Sequence, residues 1–398
     1  SRNNKIGLLL LSVSLCLFVN PKGVVGGFVV SNTNNGRELL KASAASRNNL
    51  DNINTDKDDV ISSKVSSSEV SRRDFSSRMV LASGGGWLSG SFGSGISNVG
   101  AAAAAEGSAS SVMLGAGVDA GIEFPLASFG LQVYDDEKAY RLTMTALEVG
   151  YRNFFASVLA GNQRGFAKAV KDSGIPRKEL FICGSVVSNR AQGYKDAYAA
   201  TTKGWKQNMD IFSTNGNIDY LDQIMLDYPG PDCESIQGQW AAFQDMHSQK
   251  LVRTLAVSNF SPTQLDCILN DKKNTKVLPL VNQLPFSVAY HPPYPGGLSA
   301  QEIVKANADR GVLVQAWAPL GYSLGGKFTS QMKDVCQQIG KPYGKSYAQV
   351  ALRWIVQTGA SFTTQTTKKS HFVEDLNIFD FTLSPQDMIL LDGLYKTK

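Results

Sequence analysis

The chain has 398 residues, of which 43% are hydrophobic and 18% are charged, which is enough for one large domain with a full core and additional segments. Most of the formal net charge of +5 lies at the N-terminal end, where residues 1–105 carry 11 basic and 7 acidic side chains, against 28 and 27 in the remainder. A nearly neutral body gives no electrostatic basis for nucleic-acid binding, and no run of 18 apolar residues predicts a membrane-spanning helix.

The first 105 residues resemble three targeting segments in series. Residues 1–27 start with basic residues, continue with an apolar run and end in small residues, as a secretory signal peptide does. Residues 28–70 are rich in Ser, Asn, Lys and Arg without helical or strand periodicity, which is typical of a transit segment or a disordered linker. Residues 71–105 contain an Arg-Arg pair, a Gly-rich run and three final alanines, and they resemble a twin-arginine export signal.

Three targeting segments in series imply passage across several membranes. The layout resembles that of a plastid protein from an alga with a secondary plastid, delivered to the thylakoid lumen. Chance matches within a low-complexity tail are the alternative, because short motifs have a high false-positive rate. We therefore expect a chloroplast protein of the thylakoid lumen that is not an integral membrane protein.

The body, residues 111–398, alternates strand and helix patterns. The eight strand candidates are FPLASFG, YRNFFASV, ELFICGSVV, DYLDQIMLDYP, VRTLAVSNF, PLVNQLPFSV, GVLVQAWAPLG and ASFTTQTT. Helical patterns follow them over Asp136–Val149, around Phe166–Val170, Tyr194–Met209, Ser235–Gln249, from Ser261, Ala300–Ala308, Gln331–Ile339, Ser346–Gln357 and Ser370–Leu376. Eight such units favour an α/β fold of the (β/α)8 TIM-barrel class over an open doubly wound sheet, and the first strand lacks the G-x-G-x-x-G that a Rossmann fold would carry.

Five motifs of the body resemble the segments of aldo-keto reductases. In chain order they are LAVSNFSPTQLDCIL, VNQLPF, AWAPLG, YAQVALRWIVQTGA and VEDLNIFDFTLSPQDM, and the resemblance extends over roughly Met113 to Leu394. One motif would be weak evidence, but five in order at barrel spacing are specific. The resemblance implies an aldo-keto reductase barrel and a nicotinamide cofactor, NADP(H), that delivers hydride to a carbonyl carbon.

The positions of that family's four catalytic residues are substituted. In the family a Tyr protonates the developing alkoxide, a Lys and an Asp tune the Tyr, and a His orients the carbonyl. The resemblance places Phe155 at the Asp position and Ala160 at the Tyr position, and neither can transfer a proton. Ser185 stands at the Lys position and carries no charge, and Asp227 stands at the His position. We expect no catalytic residue of the inherited kind, and we expect burial without a nearby cation to raise the pKa of Asp227.

The resemblance leaves the nicotinamide end of the cofactor site chemically suitable. Ser258, Asn259 and Gln283 stand where the family hydrogen-bonds the carboxamide. Trp317 stands where a ring stacks on the nicotinamide, and Leu320 lies in the turn that passes the pyrophosphate. Strand-end packing and a cap for the next helix would account for the Ser-Asn pair without any ligand.

The adenosine end of the cofactor site is degraded. Gln365 replaces the family's Lys, His371 replaces its Arg and Asp375 replaces its Asn. A 2′-phosphate favours cationic partners, which Gln365 does not supply. Lys368 and Lys369 are the cations available nearby in the sequence.

Other candidate sites give weaker signals. The three His residues show no metal-ligand spacing with Cys or carboxylates, so we expect no metal site. Cys183, Cys233, Cys267 and Cys336 form no C-x-x-C motif, which favours a buried thiol for Cys183 and leaves a disulfide in an oxidising lumen open. The segment YHPPYPGG, residues 290–297, is a stiff connection or a partner-binding loop.

Two functions are compatible with these patterns. The missing proton donor favours a pseudoenzyme with a binding or assembly role, such as a protein partner within a plastid complex. The alternative is an active NAD(P)H-dependent oxidoreductase of a carbonyl substrate, with catalytic groups rebuilt from residues such as Asp227 or Tyr228. The intact carboxamide-side residues favour this second function.

Overall fold

A closed parallel barrel of eight strands forms the framework of the part of the chain that the structure, a computed structural model, describes: residues 110–115, 121–131, 134–321 and 327–396. The expected targeting segments within residues 1–105 lie outside this part. The barrel strands follow one another around the barrel in chain order, and the last pairs in parallel with the first. The predicted (β/α)8 fold is therefore confirmed.

Ten strands are present in the described residues. They are β1 (Ser111–Leu114), β2 (Ile122–Pro125), β3 (Ala127–Gly130), β4 (Asn153–Ala156), β5 (Phe181–Val186), β6 (Leu221–Asp227), β7 (Val252–Ser258), β8 (Pro279–Pro285), β9 (Leu313–Trp317) and β10 (Ser361–Thr364). The first two form an antiparallel hairpin outside the barrel. The segment FPLASFG, predicted as one strand, is divided at Leu126 between this hairpin and the barrel, because four-residue strands give no periodic signal that would separate them.

Helices follow the barrel strands as the sequence predicts. They are α1 (Asp136–Val149), α2 (Gln163–Asp172), α3 (Gly193–Gly216), α4 (Cys233–Ser248), α5 (Pro262–Leu269), α6 (Ala300–Ala308), α7 (Ser330–Gly340), α8 (Tyr347–Gln357), α9 (Lys369–Leu376) and α10 (Pro385–Gly393). The predicted limits of α1 and α6 are the observed ones. Helix α3 runs past its predicted end at Met209, since Phe212 and Gly216 continue its buried face. Within the described ranges no helix combines the length and apolarity needed to cross a bilayer.

Aromatic side chains fill the layer between the strands and the helices. Phe154 on β4 packs on Phe166 of α2 with ring centroids 5.6 Å apart, and Phe166 packs edge-on against Phe212 of α3 at 6.2 Å. All three rings are fully buried, and burial of one such side chain contributes about 1.5–3 kcal/mol. This layer fixes the helices against the strands, whose C-terminal ends are thereby held in one rim.

The two carboxylates of strand β6 face opposite sides of the barrel wall. Asp222 points outward and pairs with Arg177 at 2.7 Å and Arg253 at 2.9 Å, and it also accepts a hydrogen bond from the backbone N–H of Ile182 at 2.9 Å. Asp227, at the other end of β6, lines the cavity at the strands' C-terminal ends. Strand alternation predicts this separation for residues five apart, so the two carboxylates belong to different environments.

A disulfide joins the helices that follow β6 and β7. Cys233, the first residue of α4, is bonded to Cys267 of α5, with their Cα atoms 5.2 Å apart. Cys183 and Cys336 are buried free thiols, and burial raises the pKa of both. The buried thiol expected at Cys183 is confirmed, and the disulfide that the sequence left open is present.

Removing this disulfide is expected to destabilise the barrel. The bond closes a loop with a sequence separation of 34 residues, for which the chain-entropy model gives about 3–4 kcal/mol. The double variant C233S/C267S should lose that much free energy of unfolding in a urea titration, and wild type with dithiothreitol should lose the same amount. Dithiothreitol should leave the unfolding free energy of the double variant unchanged. A urea midpoint of the wild type that is the same with and without dithiothreitol would contradict the prediction.

Candidate functional site at the barrel mouth

A cavity of about 460 Å³ opens at the C-terminal ends of the barrel strands. Its lining residues are Leu131, Phe155, Ser157, Leu159, Ala160, Asp227, Tyr228, Ser258, Asn259, Gln283, Trp317, Ala318, Pro319, Leu320, Gly321, Thr363, Thr364 and Gln365. The structure thus brings together nine of the twelve positions that the family resemblance singled out, and Tyr228 beside them. Ser185, His371 and Asp375 lie outside this lining.

Asp227 is the buried carboxylate of the cavity. It ends β6 and is paired in register with Ser258 at the end of β7. Only 7% of the residue is exposed, and this burial raises the pKa of Asp227 to about 6, against hydrogen bonds from Ser258 and Asn259 that lower it. The rise expected from burial without a cation is confirmed.

Asn259 connects this carboxylate to the indole of Trp317. Its Nδ2 donates to Asp227 Oδ1 at 3.3 Å and to Ser258 Oγ at 3.0 Å, while its Oδ1 accepts from Trp317 Nε1 at 3.2 Å. Its backbone N–H donates to the carbonyl oxygen of Gln283 at 2.9 Å. One amide therefore positions the polar groups of three strand ends.

The helix-cap explanation for the Ser258-Asn259 pair is wrong. Helix α5 is capped by Ser261, whose side chain accepts from the backbone of Gln264 while the Gln264 side chain accepts from the backbone of Ser261. Ser258 and Asn259 instead direct their side chains toward Asp227 and Trp317. The helix cap therefore explains neither residue, whereas strand-end packing, the other part of that explanation, is consistent with their hydrogen bonds to Asp227 and Trp317.

Three of the substituted family positions have become structural. Ser185 is buried on β5, and its Oγ accepts the backbone N–H of Val158 at 3.0 Å, which fixes the short turn that ends in Ala160. Phe155 packs its half-buried ring against the hydrophobic core. None of the three offers an acidic proton to the cavity.

The backbone is strained at three strand ends around the cavity. Tyr228, Asn259 and Ala318 follow β6, β7 and β9 and have φ angles of 70°, 64° and 50°. Non-glycine residues adopt this left-handed region at a cost of about 1–3 kcal/mol each, and such residues concentrate at functional sites. Tyr228 lines the cavity, and 39% of the residue is exposed. Its partial burial raises the pKa of Tyr228, and the negative charge of Asp227 raises this pKa further.

The end of the cavity beyond β10 is poor in cations. Gln365 lines it, while His371 lies outside and contacts Thr366 through Nδ1 and Oγ1 at 3.2 Å. Asp375 is buried, which raises the pKa of Asp375 to about 7. Lys369, one of the two cations near this end in the sequence, forms an ion pair with Glu148.

Several cavity residues were missed by sequence reasoning. They are Leu131, Ser157, Leu159, Ala318, Pro319, Gly321, Thr363 and Thr364. Their positions at or just after strand ends were the available signal, but strand-end position alone does not distinguish a lining side chain from a buried one. Thr363 bears on ligand binding because its Oγ1 is buried without a hydrogen-bond partner in the described part of the chain.

A planar aromatic carboxamide fits this set of groups. A carboxamide needs one acceptor and one donor, and Ser258, Asn259 and Gln283 carry both types on adjacent strands. In this structure Asn259 Nδ2 donates to Asp227 and Ser258, and Gln283 Nε2 donates to Gln315 at 2.8 Å, so a bound carboxamide would exchange with these internal bonds. Trp317 supplies a ring beside them, and the mean ring–ring contact is worth about 0.5–1.5 kcal/mol.

Among the described residues, no group of three or more His, Cys, Asp or Glu side chains is arranged to hold a metal ion.

Comparisons with known proteins agree with the fold and identify its family. The model of the aldo/keto reductase family matches residues 124–396. Glyoxal reductase of Bacillus subtilis is 32% identical over 281 residues, covering 69% of this chain and 91% of that protein. The 9,11-endoperoxide prostaglandin H2 reductase of Trypanosoma cruzi is 28% identical over 279 residues, covering 70% of this chain and 90% of that protein. The crystal structure of an aldo/keto reductase from Brucella melitensis superimposes with a TM-score of 0.60 at 26% identity, covering 71% of this chain and 98% of that one.

Neutralising Asp227 is expected to stabilise the protein above pH 6 and not below pH 4. Burial raises the pKa of this carboxyl from its usual 3.8 to about 6, so its ionisation opposes folding at higher pH and is absent at lower pH. The variant D227N should therefore gain up to about 3 kcal/mol of unfolding free energy at pH 8 and nothing at pH 4. Thermal and urea unfolding at both pH values measure this, with D210N as the matched surface variant. A loss of stability in D227N at pH 8 would contradict the prediction.

Proposed function

This chain belongs to the aldo/keto reductase family, and from that premise we propose that it binds a nicotinamide nucleotide at the barrel mouth without reducing carbonyls by the family's tyrosine-based mechanism. The observation that carries the proposal is the hydrogen-bonded chain from Asp227 through Asn259 to Trp317. These hydrogen bonds keep the side chains on the carboxamide side of the cavity in fixed positions, while Ala160 stands where the family places its acid.

The strained strand ends support retained binding. Tyr228 and Ala318 in the left-handed region cost about 1–3 kcal/mol each, whereas Asn259 is a residue type that tolerates it, and such geometry persists only where surrounding contacts maintain it. A barrel retained for packing alone would gain stability from relaxing Tyr228, Asn259 and Ala318. The backbone N–H groups of Tyr228 and Asn259 hold this geometry by donating to the carbonyl oxygens of Ser258 and Gln283, and we propose that it is retained because it shapes a ligand site.

The loss of the proton donor argues against the family's reaction. A positioned general acid contributes about 10²–10⁴-fold to such a reaction, and Phe155 and Ala160 supply none. When bound, a reduced nicotinamide supplies hydride. In this chain Ser258, Asn259 and Gln283 would hold its carboxamide and Trp317 would contact its ring. The cation-poor end at Gln365 would bind a 2′-phosphate weakly.

The role that follows from binding without turnover is that of a pseudoenzyme in the plastid, with a binding or assembly function toward a protein partner. The Cys233–Cys267 disulfide supports an oxidising compartment, because structural disulfides persist mainly in such compartments. The thylakoid lumen, which the arrangement of residues 1–105 suggests, remains our proposed location.

A second candidate function is an active oxidoreductase with a rebuilt acid. The observation that favours it is the pair Asp227 and Tyr228 in the cavity lining, of which Asp227 carries a proton in part of the molecules near pH 6. The names of the relatives, glyoxal reductase and prostaglandin H2 reductase, indicate carbonyl or peroxide substrates for those proteins. Any such activity of this chain should require Asp227 or Tyr228, so the variant D227N or Y228F should abolish it.

Nucleotide binding without turnover is the first test of the proposal. Isothermal titration of the chain with NADP(H) and NAD(H) should give saturable binding, and W317A should weaken it about tenfold through loss of the ring contact. Consumption of NADPH with a panel of aldehydes, glyoxal included, should stay at the background rate at pH 6 and pH 8. Turnover abolished by D227N or Y228F would establish the second candidate, and absence of all binding would contradict the first.

The proposed location is tested with a fluorescent fusion. Residues 1–105 joined to a fluorescent protein should direct it to the plastid of an alga with a secondary plastid, and immunogold labelling should place the native chain in the thylakoid lumen. Replacing Arg72 and Arg73 by Lys should leave the fusion in the plastid stroma. Retention of the fusion in the cytosol would contradict the plastid proposal.

A further inference from the structure

The mouth cavity has an unbalanced charge. Of its lining residues only Asp227 and Tyr228 are titratable, and none is Lys, Arg or His. At neutral pH the cavity therefore presents a single negative charge, which is buried at the end of β6. A buried charge is normally paired, so an uncompensated carboxylate in a cavity favours a ligand that brings the opposite charge.

The hydrogen bonds of Asp227 do not neutralise it. Its partners are the Asn259 amide at 3.3 Å and the Ser258 hydroxyl, and both are neutral. Within the part of the chain that the structure describes, Asp227 forms no ion pair with Lys, Arg or His, whereas Asp222 on the opposite face of β6 is paired with two arginines. Of the two carboxylates on this strand, Asp222 thus has a counter-charge and Asp227 has none among the described residues.

The groups that would hold a carboxamide lie directly beside this carboxylate. Asn259 contacts Asp227 with one end of its amide and the Trp317 indole with the other. A nicotinamide whose carboxamide were held by Asn259 would therefore be bound by the same residue that contacts the Asp227 carboxylate. Aromatic faces, here Trp317 and Tyr228, also attract organic cations.

We propose that the barrel mouth distinguishes the redox states of nicotinamide nucleotides and binds the oxidised form, whose ring carries a positive charge, more tightly than the reduced form. The inference rests on the proposed nucleotide binding and goes further by naming the ligand state and the residue that selects it. The two forms share their carboxamide, riboses and phosphates and differ by one hydride, so the ring charge is what Asp227 would recognise.

The expected size of the preference follows from Coulomb's law. A pair of unit charges a few ångströms apart near a protein surface interacts strongly enough to change an equilibrium constant by at least about tenfold. The preference should appear with both the NAD and the NADP pairs, because the 2′-phosphate lies at the other end of the ligand from Asp227. It should be a property of the carboxylate and not of the cavity shape.

The test measures four dissociation constants by isothermal titration at pH 8 for the wild-type chain, D227N and D210N. Wild type and D210N should bind NAD+ and NADP+ at least about tenfold more tightly than NADH and NADPH. In D227N, which keeps the shape of the side chain and one acceptor oxygen for Asn259 but removes the charge, the ratio should fall toward one through weaker binding of the oxidised forms. Melting curves confirm that D227N is folded, and D227S gives the same comparison with a smaller neutral side chain.

The outcomes separate this inference from the proposed function. Binding of both redox forms with equal affinity in wild type, or an oxidised-to-reduced ratio that D227N and D227S leave unchanged, overturns the inference and leaves nucleotide binding intact. Failure of every nucleotide to bind overturns both. A ratio that collapses in D227N and persists in D210N supports the assignment of Asp227 as the selecting residue.

Discussion

The hydrogen bond between Asp227 and Asn259 is the interaction on which the organisation of the barrel mouth depends. It joins the ends of β6 and β7, and Asn259 extends the connection to Trp317 on β9. An ionised carboxylate in this position has two neutral donors and no counter-charge, and burial raises the pKa of Asp227 to about 6. The protein therefore carries an electrostatic cost at its mouth that a cationic ligand would relieve.

The rest of the structure holds this mouth in place. The aromatic layer between strands and helices fixes the rim, and Asp222 with its two arginines joins β5, β6 and β7 at the opposite end of the wall. The disulfide between α4 and α5 ties together the helices that leave β6 and β7. Strain at Tyr228 and Asn259 is thus tolerated because both strand ends are anchored on either side.

Much of the fold and part of the site could be predicted from the sequence, and the reasons differ by residue. Eight strand and helix units predict the barrel because parallel strands need apolar faces on both sides. The motifs around Asn259 and Gln283 predict it separately, through their resemblance to the family. The hairpin of β1 and β2 was missed, since its strands are too short to show periodicity. The capping of α5 by Ser261 and Gln264 is a local sequence pattern, and the helix was predicted from Ser261, whereas the Cys233–Cys267 pairing depends on three-dimensional neighbours that spacing does not reveal. The links from Asn259 to Asp227 and Trp317 were likewise visible only in the structure.

The ionisation of Asp227 tests this account most directly. Carbon-13 NMR of the aspartate carboxyls, with D227N to assign the resonance, follows its titration in the free protein and with saturating NADP+. The account predicts a pKa near 6 in the free protein, where burial acts without a counter-charge, and a lower pKa when the positively charged ring is bound. A free-state pKa near 4, or a pKa that rises or stays constant when NADP+ binds, would contradict it.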